Sequence, residues 1–190
     1  MGNVGIAQAD VRNVYHNPAF AGLKESHYEI SHIKWLPNLT DDMGYQSMLH
    51  TSDMGWSGEI FYFDYGTQVE ADAGGIVLGD FESASFRMSG GYGFGFNDWL
   101  VGARLNFYHH NFVDDIDIGM NYGFDIGAYK EFGNTSVGIV LKDVGGDTEI
   151  LEQTLNLPTS IGVGVGQKFG NFTLASDVKV FEDYNSIGLG

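Results

Sequence analysis

The sequence contains no cysteine, only 3 prolines in 190 residues, and few basic side chains. Without cysteine, the chain can form neither a disulfide framework nor a thiolate metal site, and it has no cysteine nucleophile. Lysine and arginine number 9 against 25 acidic residues, which gives a formal charge of −16. Because nucleic-acid binding needs a basic surface, this balance argues against a nucleic-acid partner.

A long apolar run is also missing. No stretch reaches the roughly 18 apolar residues that a transmembrane helix requires. The chain instead has 28 glycines and 14% aromatic residues, which together with the scarcity of proline is typical of an all-β protein with many tight turns. Its mean hydropathy is slightly below zero. A β-barrel gives such a value because polar lumen residues dilute the lipid-facing ones.

Alternation of apolar with small or polar side chains is the main signal in the sequence. It runs through residues 99–111, 122–132, 135–142 and 161–169, and three similar turns with the pattern Phe-Gly-Phe/Asn lie at residues 94–98, 132–134 and 169–171. A transmembrane β-strand needs roughly nine to eleven residues with one face to lipid and the other to a lumen. The pattern therefore predicts an antiparallel, up-and-down transmembrane β-barrel.

Further strands are predicted over residues 27–35, 43–50, 56–65, 81–96 and 172–180, for about nine in all. Residues 67–80 are predicted as a long loop or weak hairpin, and 112–120 and 143–157 as acidic loops. Residues 161–166 carry branched side chains on one face and only glycine on the other, which indicates that something bulky packs against the glycine face.

An open sheet edge cannot lie in lipid, and single-chain bacterial barrels have even strand numbers. Residues 187–189 have the pattern of a tenth strand. We therefore expect residues 26–190 to be a barrel meander that is incomplete at its C-terminal end. Residues 1–25 lack a period of two and are predicted to be irregular, with one short helical turn.

Three groups of polar residues are candidates for a site. Glu59, Arg104 and Asp125 fall opposite the lipid-facing residues and are predicted to face the lumen, as a structural ion pair or along a polar path. Asp114, Asp115 and Asp117 supply oxygens for Ca²⁺, although their spacing is not that of the twelve-residue calcium loop, and a solvated acidic loop is the alternative.

The sequence does not predict an enzyme. His109 and His110 are adjacent on a strand and point to opposite faces, which argues against a shared zinc ion. Serine, histidine and aspartate are present, but no Gly-x-Ser-x-Gly nucleophile elbow occurs. We expect no catalytic residue, no bound metal and no cofactor.

The N-terminal residues resemble a known family. Gly2-Asn3-Val4-Gly5-Ile6-Ala7, Asp10-Val11 and Tyr15-His16-Asn17-Pro18-Ala19-Phe20-Ala21 resemble the start of the PorV/PorQ group of FadL-like outer-membrane barrels. Leu141-Lys142-Asp143-Val144-Gly145 and Leu157-Pro158-Thr159 follow in the family's order. The resemblance implies a bacterial outer-membrane barrel with residues 1–25 folded inside as a hatch. It makes Asn17, Pro18 and Ala19 candidate gate residues, with an ordinary Asn-Pro turn as the alternative.

The resemblance also implies function. PorV members act in type IX secretion, where they receive cargo proteins, whereas FadL members move hydrophobic molecules across the outer membrane. We expect a non-enzymatic secretion scaffold that binds cargo through residues 67–80, 112–120 and 143–157, because the inferred inward faces are rich in glycine and polar residues. The alternatives are a passive transporter of hydrophobic small molecules and a secreted, soluble acidic β-protein. Expected partners are outer-membrane lipid and secretion-machinery or cargo proteins.

Overall fold

The structure is a computed structural model that describes residues 4–36, 38, 40, 42–113, 116–146, 148–150, 153–155, 157–181 and 185–190. Ten of its strands form one antiparallel sheet in chain order. These are β1 His27–Lys34, β2 Gly44–Thr51, β3 Trp56–Ala71, β4 Val77–Phe96, β5 Trp99–Val113, β6 Ile116–Phe132, β7 Thr135–Gly145, β10 Ser160–Phe169, β11 Phe172–Phe181 and β12 Asn185–Leu189. Two short strands, β8 Thr148–Ile150 and β9 Gln153–Leu155, form a separate ribbon between β7 and β10.

The predicted all-β, up-and-down antiparallel architecture is confirmed. All nine predicted strands are present, and β12 is the tenth. The sheet is not closed, because β1 and β12 lie at its two edges. Among the residues that the structure describes, no helix combines the length and the apolar character needed to cross a membrane.

The predicted acidic loop at residues 112–120 is wrong, whereas for residues 67–80 the hairpin alternative is confirmed. Residues 67–80 belong mainly to β3 and β4, which form a long hairpin, and residues 112–120 lie mainly in β5 and β6. Residues 143–157 also contain the end of β7 and the β8–β9 ribbon. The 67–80 hairpin is exposed on both faces, so its residues follow no apolar–polar alternation, and the backbone ladder maintains the pairing without that signal.

The two faces of the sheet differ in chemistry. In β4, Ser83, Ser85 and Ser89 are buried, whereas the intervening Phe86 and Met88 are exposed. In β10 the buried positions are Ser160 and three glycines, and Ile161, Val163 and Val165 between them are exposed. We call the face with the buried small and polar side chains the inner face and the opposite one the outer face.

Exposed apolar side chains cover the outer face from one edge of the sheet to the other. Examples from each of the ten strands in order are Ile30, Met48, Ile60, Met88, Leu105, Phe124, Ile139, Val163, Val178 and Ile187. Some are direct cross-strand partners, as in the row Ile30–Met48–Ile60–Met88. The outer face is therefore a continuous apolar surface.

Residues 4–24, here called the N-terminal segment, pack on the inner face. They contain two 3₁₀ helices, Val11–Asn13 and Pro18–Leu23. Asn17 caps the second helix, Pro18 occupies its first turn, and Lys24 ends it in a left-handed conformation. Phe20 lies at the centre of the resulting core, with its ring centroid 5.1 Å from that of Tyr129 on β6.

Glycines of the inner face leave room for this segment. A Cβ atom at Gly102, Gly127 or Gly138 would overlap Pro18, Asn17 or Ile6 respectively. On β10, Cβ atoms at Gly162 and Gly164 would overlap the Ile6 side chain. The expectation that something bulky packs against the glycines of residues 161–166 is confirmed, and the bulky group is the N-terminal segment.

We expect Gly138→Ala to loosen the N-terminal segment, because the added methyl group overlaps the Ile6 carbonyl oxygen. The chain has no cysteine, so a single Val14→Cys at a buried position reports release by thiol labelling. Labelling should accelerate about tenfold, since overpacking costs roughly 1–3 kcal/mol. Gly90→Ala is the matched control, because a Cβ there meets no atom within 4 Å. Equal labelling rates in the two variants would contradict the prediction.

Candidate functional site: the inner face and the N-terminal segment

Asn17 joins the N-terminal segment to itself and to the sheet. Its Oδ1 accepts the Ala19 backbone N–H at 3.1 Å, which caps the second 3₁₀ helix. Its Nδ2 donates to the Ile6 carbonyl at 2.9 Å and to the Ala128 carbonyl of β6 at 3.2 Å. Asn17 is fully buried. It therefore does more than begin a turn, because it links two parts of the segment to β6.

Pro18 and Ala19, the other two candidate gate residues, lie at the start of the same helix and are buried against the sheet. The Pro18 carbonyl lies over Gly102 of β5. The three residues thus form one contact region on β5 and β6. Their role as a gate stays a prediction.

Asp177 is a second anchor, and sequence reasoning missed it. This buried carboxylate on β11 accepts two backbone N–H groups through Oδ2, from Gly5 at 2.7 Å and from Ile6 at 3.0 Å. Ser136 of β7 donates to the Ala7 carbonyl at 2.8 Å. A single acidic residue at an inward position of a strand was the available signal. Its partners could not be inferred because they lie about 170 residues away in the chain, at separations of 172 and 171.

The structure brings two of the predicted lumen residues together. Glu59 of β3 lies between two guanidinium groups, since Oε1 is 2.9 Å from Arg87 Nη2 and Oε2 binds Arg104. Arg104 is almost completely buried and also donates from Nε to Asn106 Oδ1 at 3.0 Å. A buried charge needs such partners, so Glu59 compensates the Arg104 charge within the inner face.

Asp125 has a different role. It lies directly across from Arg104 in the β5–β6 register, but its Oδ1 accepts the backbone N–H of Asp143 at 2.8 Å. Asp143 has a positive φ of 55° and lies where the β6–β7 register shifts. Tyr108 donates its hydroxyl to the Asp143 carboxylate. Asp125 therefore stabilises a β-bulge, which is an irregularity that proteins often keep for a specific purpose.

The predicted cation-binding residues lie largely outside the part of the chain that the structure describes. Asp114 and Asp115 lie outside the described residues, and for Asp117 only the backbone pairing with Asn111 is described. Within the described part of the chain, no group of three or more histidine, aspartate or glutamate side chains is arranged to hold a metal ion. Of the two adjacent histidines, His110 contacts Ser85, with Nδ1 2.8 Å from Oγ.

His16 is buried in the N-terminal segment beside basic residues. Its ring packs over Gly5, where a Cβ atom would overlap it. Burial, followed by repulsion from Lys179 and then Lys142, lowers the pKa of His16 from 6.5 to about 4. Lys142 also donates to the Tyr15 carbonyl at 2.8 Å, next to His16. His16 is therefore neutral in the docked segment at neutral pH.

We expect Asn17→Asp to weaken docking of the N-terminal segment. The change preserves shape and the acceptor for Ala19, but it replaces the amide donor with a carboxylate oxygen that faces two carbonyls. The loss should be roughly 1–3 kcal/mol, because two buried acceptors lose their donor. Thiol labelling at Val14→Cys would measure it, with Asn134→Asp in an exposed turn as the matched control. Unchanged protection in Asn17→Asp would contradict this role.

Docking should also depend on pH. The docked segment holds His16 at a pKa of about 4 against an ordinary 6.5, so the released segment binds more protons between those values. Docking therefore weakens as the pH falls from about 7 towards 4, and it is unaffected by His16 above that window. His16→Gln should remove this dependence. The pH dependence of docking is measured as the labelling rate of Val14→Cys divided by the labelling rate of a cysteine at the exposed position of Met54. If docking of the His16→Gln variant still weakened as the pH falls, the pH dependence would belong to another group.

Comparison with known proteins adds no family assignment. No protein-family model matches this chain, and no curated protein matches it either. The two faces of the sheet and the N-terminal segment packed on its inner face are therefore the features that bear on function.

Proposed function

We propose that the chain folds as part of a bacterial outer-membrane β-barrel and acts as a non-enzymatic scaffold of the PorV type, which handles cargo proteins in type IX secretion. The observation that carries this proposal is the apolar outer face. Ten strands spaced by about 4.8 Å present a surface nearly 50 Å wide. An apolar surface of that extent exceeds the largest patches of typical soluble monomers.

The distribution of side chains supports a lipid environment for the outer face. Apolar residues point outward on all ten strands, whereas buried serine, glycine and charged residues point inward. A water-soluble sheet has the opposite arrangement, with its apolar side chains against a core. Polar-in and apolar-out alternation is the pattern of transmembrane barrels.

The curvature of the sheet supports a barrel. Glu29 of edge strand β1 and Gly190, which follows edge strand β12, line one cavity of about 490 Å³. Tyr129 and Ser136 from the middle of the sheet line the same cavity, together with residues of the N-terminal segment. The sheet therefore curls round the segment until its two edges border a common space.

The strand lengths support a surface that projects beyond the membrane. β4 has 20 residues, which extend over about 66 Å and exceed a bilayer core of roughly 30 Å even at a tilt near 40°. The β3–β4 hairpin therefore reaches past the lipid. Its end carries exposed Ile76, Val77 and Leu78, and acidic residues flank them, as at Asp72 and Asp80. An apolar tip on an acidic hairpin suits contact with another protein.

The contents of the inner face favour a scaffold over a conduit for hydrophobic solutes. Many sheet positions under the N-terminal segment carry glycine or polar side chains, apart from the apolar core around Phe20, and Asn17 and Asp177 hold the segment there. A conduit for hydrophobic molecules would need an apolar path at this level. The charged group of Glu59, Arg87 and Arg104 lies on the same face.

The test shortens the β3–β4 hairpin. Gln68 and Phe81 are cross-strand partners, so residues 69–80 can be replaced by Asn-Gly without disturbing the rest of the ladder. We expect the variant to stay in the outer membrane with a gel mobility that shifts on heating. Its affinity for the C-terminal signal domain of a secreted cargo protein should fall at least about tenfold, a loss of roughly 1.4 kcal/mol.

Asn-Gly in place of Asn97-Asp98 is the control on the opposite rim, where both residues already have positive φ. It should leave cargo binding and membrane location unchanged. Unaltered cargo binding in the shortened variant would contradict the scaffold and leave the solute transporter. A water-soluble species without a heat-dependent shift would contradict the barrel and favour the secreted β-protein.

A further inference from the structure

A second cavity lies on the inner face, towards the rim with the long connections. Its volume is about 320 Å³. Its walls include the rings of Phe61, Phe63 and Tyr65 on β3 and of Tyr108 on β5. These rings continue an aromatic cluster, since the Phe63 and Tyr65 centroids are 4.6 Å apart and those of Tyr45 and Phe61 are 5.6 Å apart.

This aromatic region differs from the rest of the inner face. Elsewhere many inward positions carry glycine, serine or charged side chains, and apolar inward side chains such as Leu49 and Tyr129 are covered by the N-terminal segment. The contacts of that segment with the sheet involve positions such as Gly93 and Gly102, which lie nearer the short turns than Phe61 and Tyr108 do. The aromatic walls therefore enclose space that the N-terminal segment does not fill.

A cationic group borders the cavity. The guanidinium carbon of Arg87 lies 5.4 Å from the Phe61 ring centroid, and its Nη2 is 2.9 Å from Glu59 Oε1. Glu59 also binds Arg104, so one carboxylate serves two guanidinium groups. Arg87 Nε is buried and has no hydrogen-bond partner among the described residues, while the Arg87 side chain as a whole is 32% exposed. Arg87 thus retains hydrogen-bonding capacity for an anion.

Other polar side chains of the cavity wall already bond to one another. Ser85 Oγ lies 3.1 Å from the Tyr65 hydroxyl and 2.8 Å from His110 Nδ1. This arrangement leaves Arg87 as the charged group that a ligand would meet. Small-molecule sites combine apolar walls with a few polar groups in this way, and 320 Å³ is at the lower end of their roughly 300–1,000 Å³ range.

We propose that this cavity binds a compact aromatic molecule that carries a carboxylate. The ring lies among Phe61, Phe63 and Tyr108, and the carboxylate pairs with Arg87. Aromatic pairs gain about 0.5–1.5 kcal/mol beyond their buried area, and arginine–carboxylate pairing is charge-assisted. A saturated acid cannot make the aromatic contacts, and a neutral aromatic molecule cannot form the arginine–carboxylate pair. The site needs only the folded sheet, so it is independent of the proposed cargo role.

The test is calorimetric titration of the folded full chain in non-ionic detergent, with empty micelles as the blank. The probes are 2-naphthoate, its saturated decahydro analogue and neutral 2-naphthylmethanol. We expect saturable binding of one naphthoate per chain, at an affinity about tenfold above that of either comparator. Partition into detergent would instead favour the neutral or saturated compound.

Three variants assign the site. Phe63→Leu should weaken naphthoate binding about fivefold, and Phe63→Tyr, which keeps the ring, should restore it. Phe94→Leu makes the same chemical change at an exposed position of the outer face and should have no effect. Arg87→Gln should remove the preference for the acid over the alcohol, while Glu59 keeps Arg104 as its partner.

Each outcome of these titrations either supports or overturns the proposed site. Equal affinities for the aromatic and the saturated acid would overturn the assignment of an aromatic site. Equal effects of Phe63→Leu and Phe94→Leu, or an absence of saturable binding by the folded wild-type chain, would also overturn it. A preference for 2-naphthoate that depends on Phe63 and Arg87, and not on Phe94, would establish it.

Discussion

Close contact between the backbone of the N-terminal segment and a row of glycines governs much of the structure. Gly93, Gly102 and Gly127 are direct cross-strand partners on β4, β5 and β6, and the segment lies across all three. A slip of one residue in either register would place a side chain of the opposite face beneath the segment. The segment and the strand register therefore specify each other. Hydrogen bonds of Asp177 and Asn17 then hold the segment in place. A methyl group could not form these bonds, and neither could a side chain with a charge of the wrong sign.

The inner face changes in character along the strands. On β5, Gly102 lies under the N-terminal segment, Arg104 belongs to the charged group, and Tyr108 borders the aromatic cavity. β4 follows the same order from Gly93 through Arg87 to Ser85. Because the strands are in register, each level extends across several of them. The charged level therefore separates the docked segment from the aromatic cavity, and Arg87 belongs to both the charged level and the cavity wall.

Periodicity predicted the sheet well where one face is apolar and the other small. Residues 161–166 are the clearest case, since their alternation predicted both the strand and the packing against its glycines. It did not decide between a loop and a weak hairpin for residues 67–80, because both faces of that hairpin are exposed and only backbone pairing defines it. The site was predicted in part. Glu59 and Arg104 were found as inward charges, but the anchoring role of Asp177 and the cavity beside Phe63 depend on contacts between distant parts of the chain.

The acidity of the β3–β4 hairpin has a consequence for its resistance to proteolysis. No lysine or arginine occurs between Lys34 and Arg87. Proteases of trypsin-like specificity therefore have no cleavage site in the outer part of the hairpin, residues 67–81, although this part is long, exposed and paired only to itself. Projecting strands of this kind are usually vulnerable to proteolysis because they lack surrounding structure. Here the composition that makes the surface acidic also removes the residues that one broad class of proteases recognises.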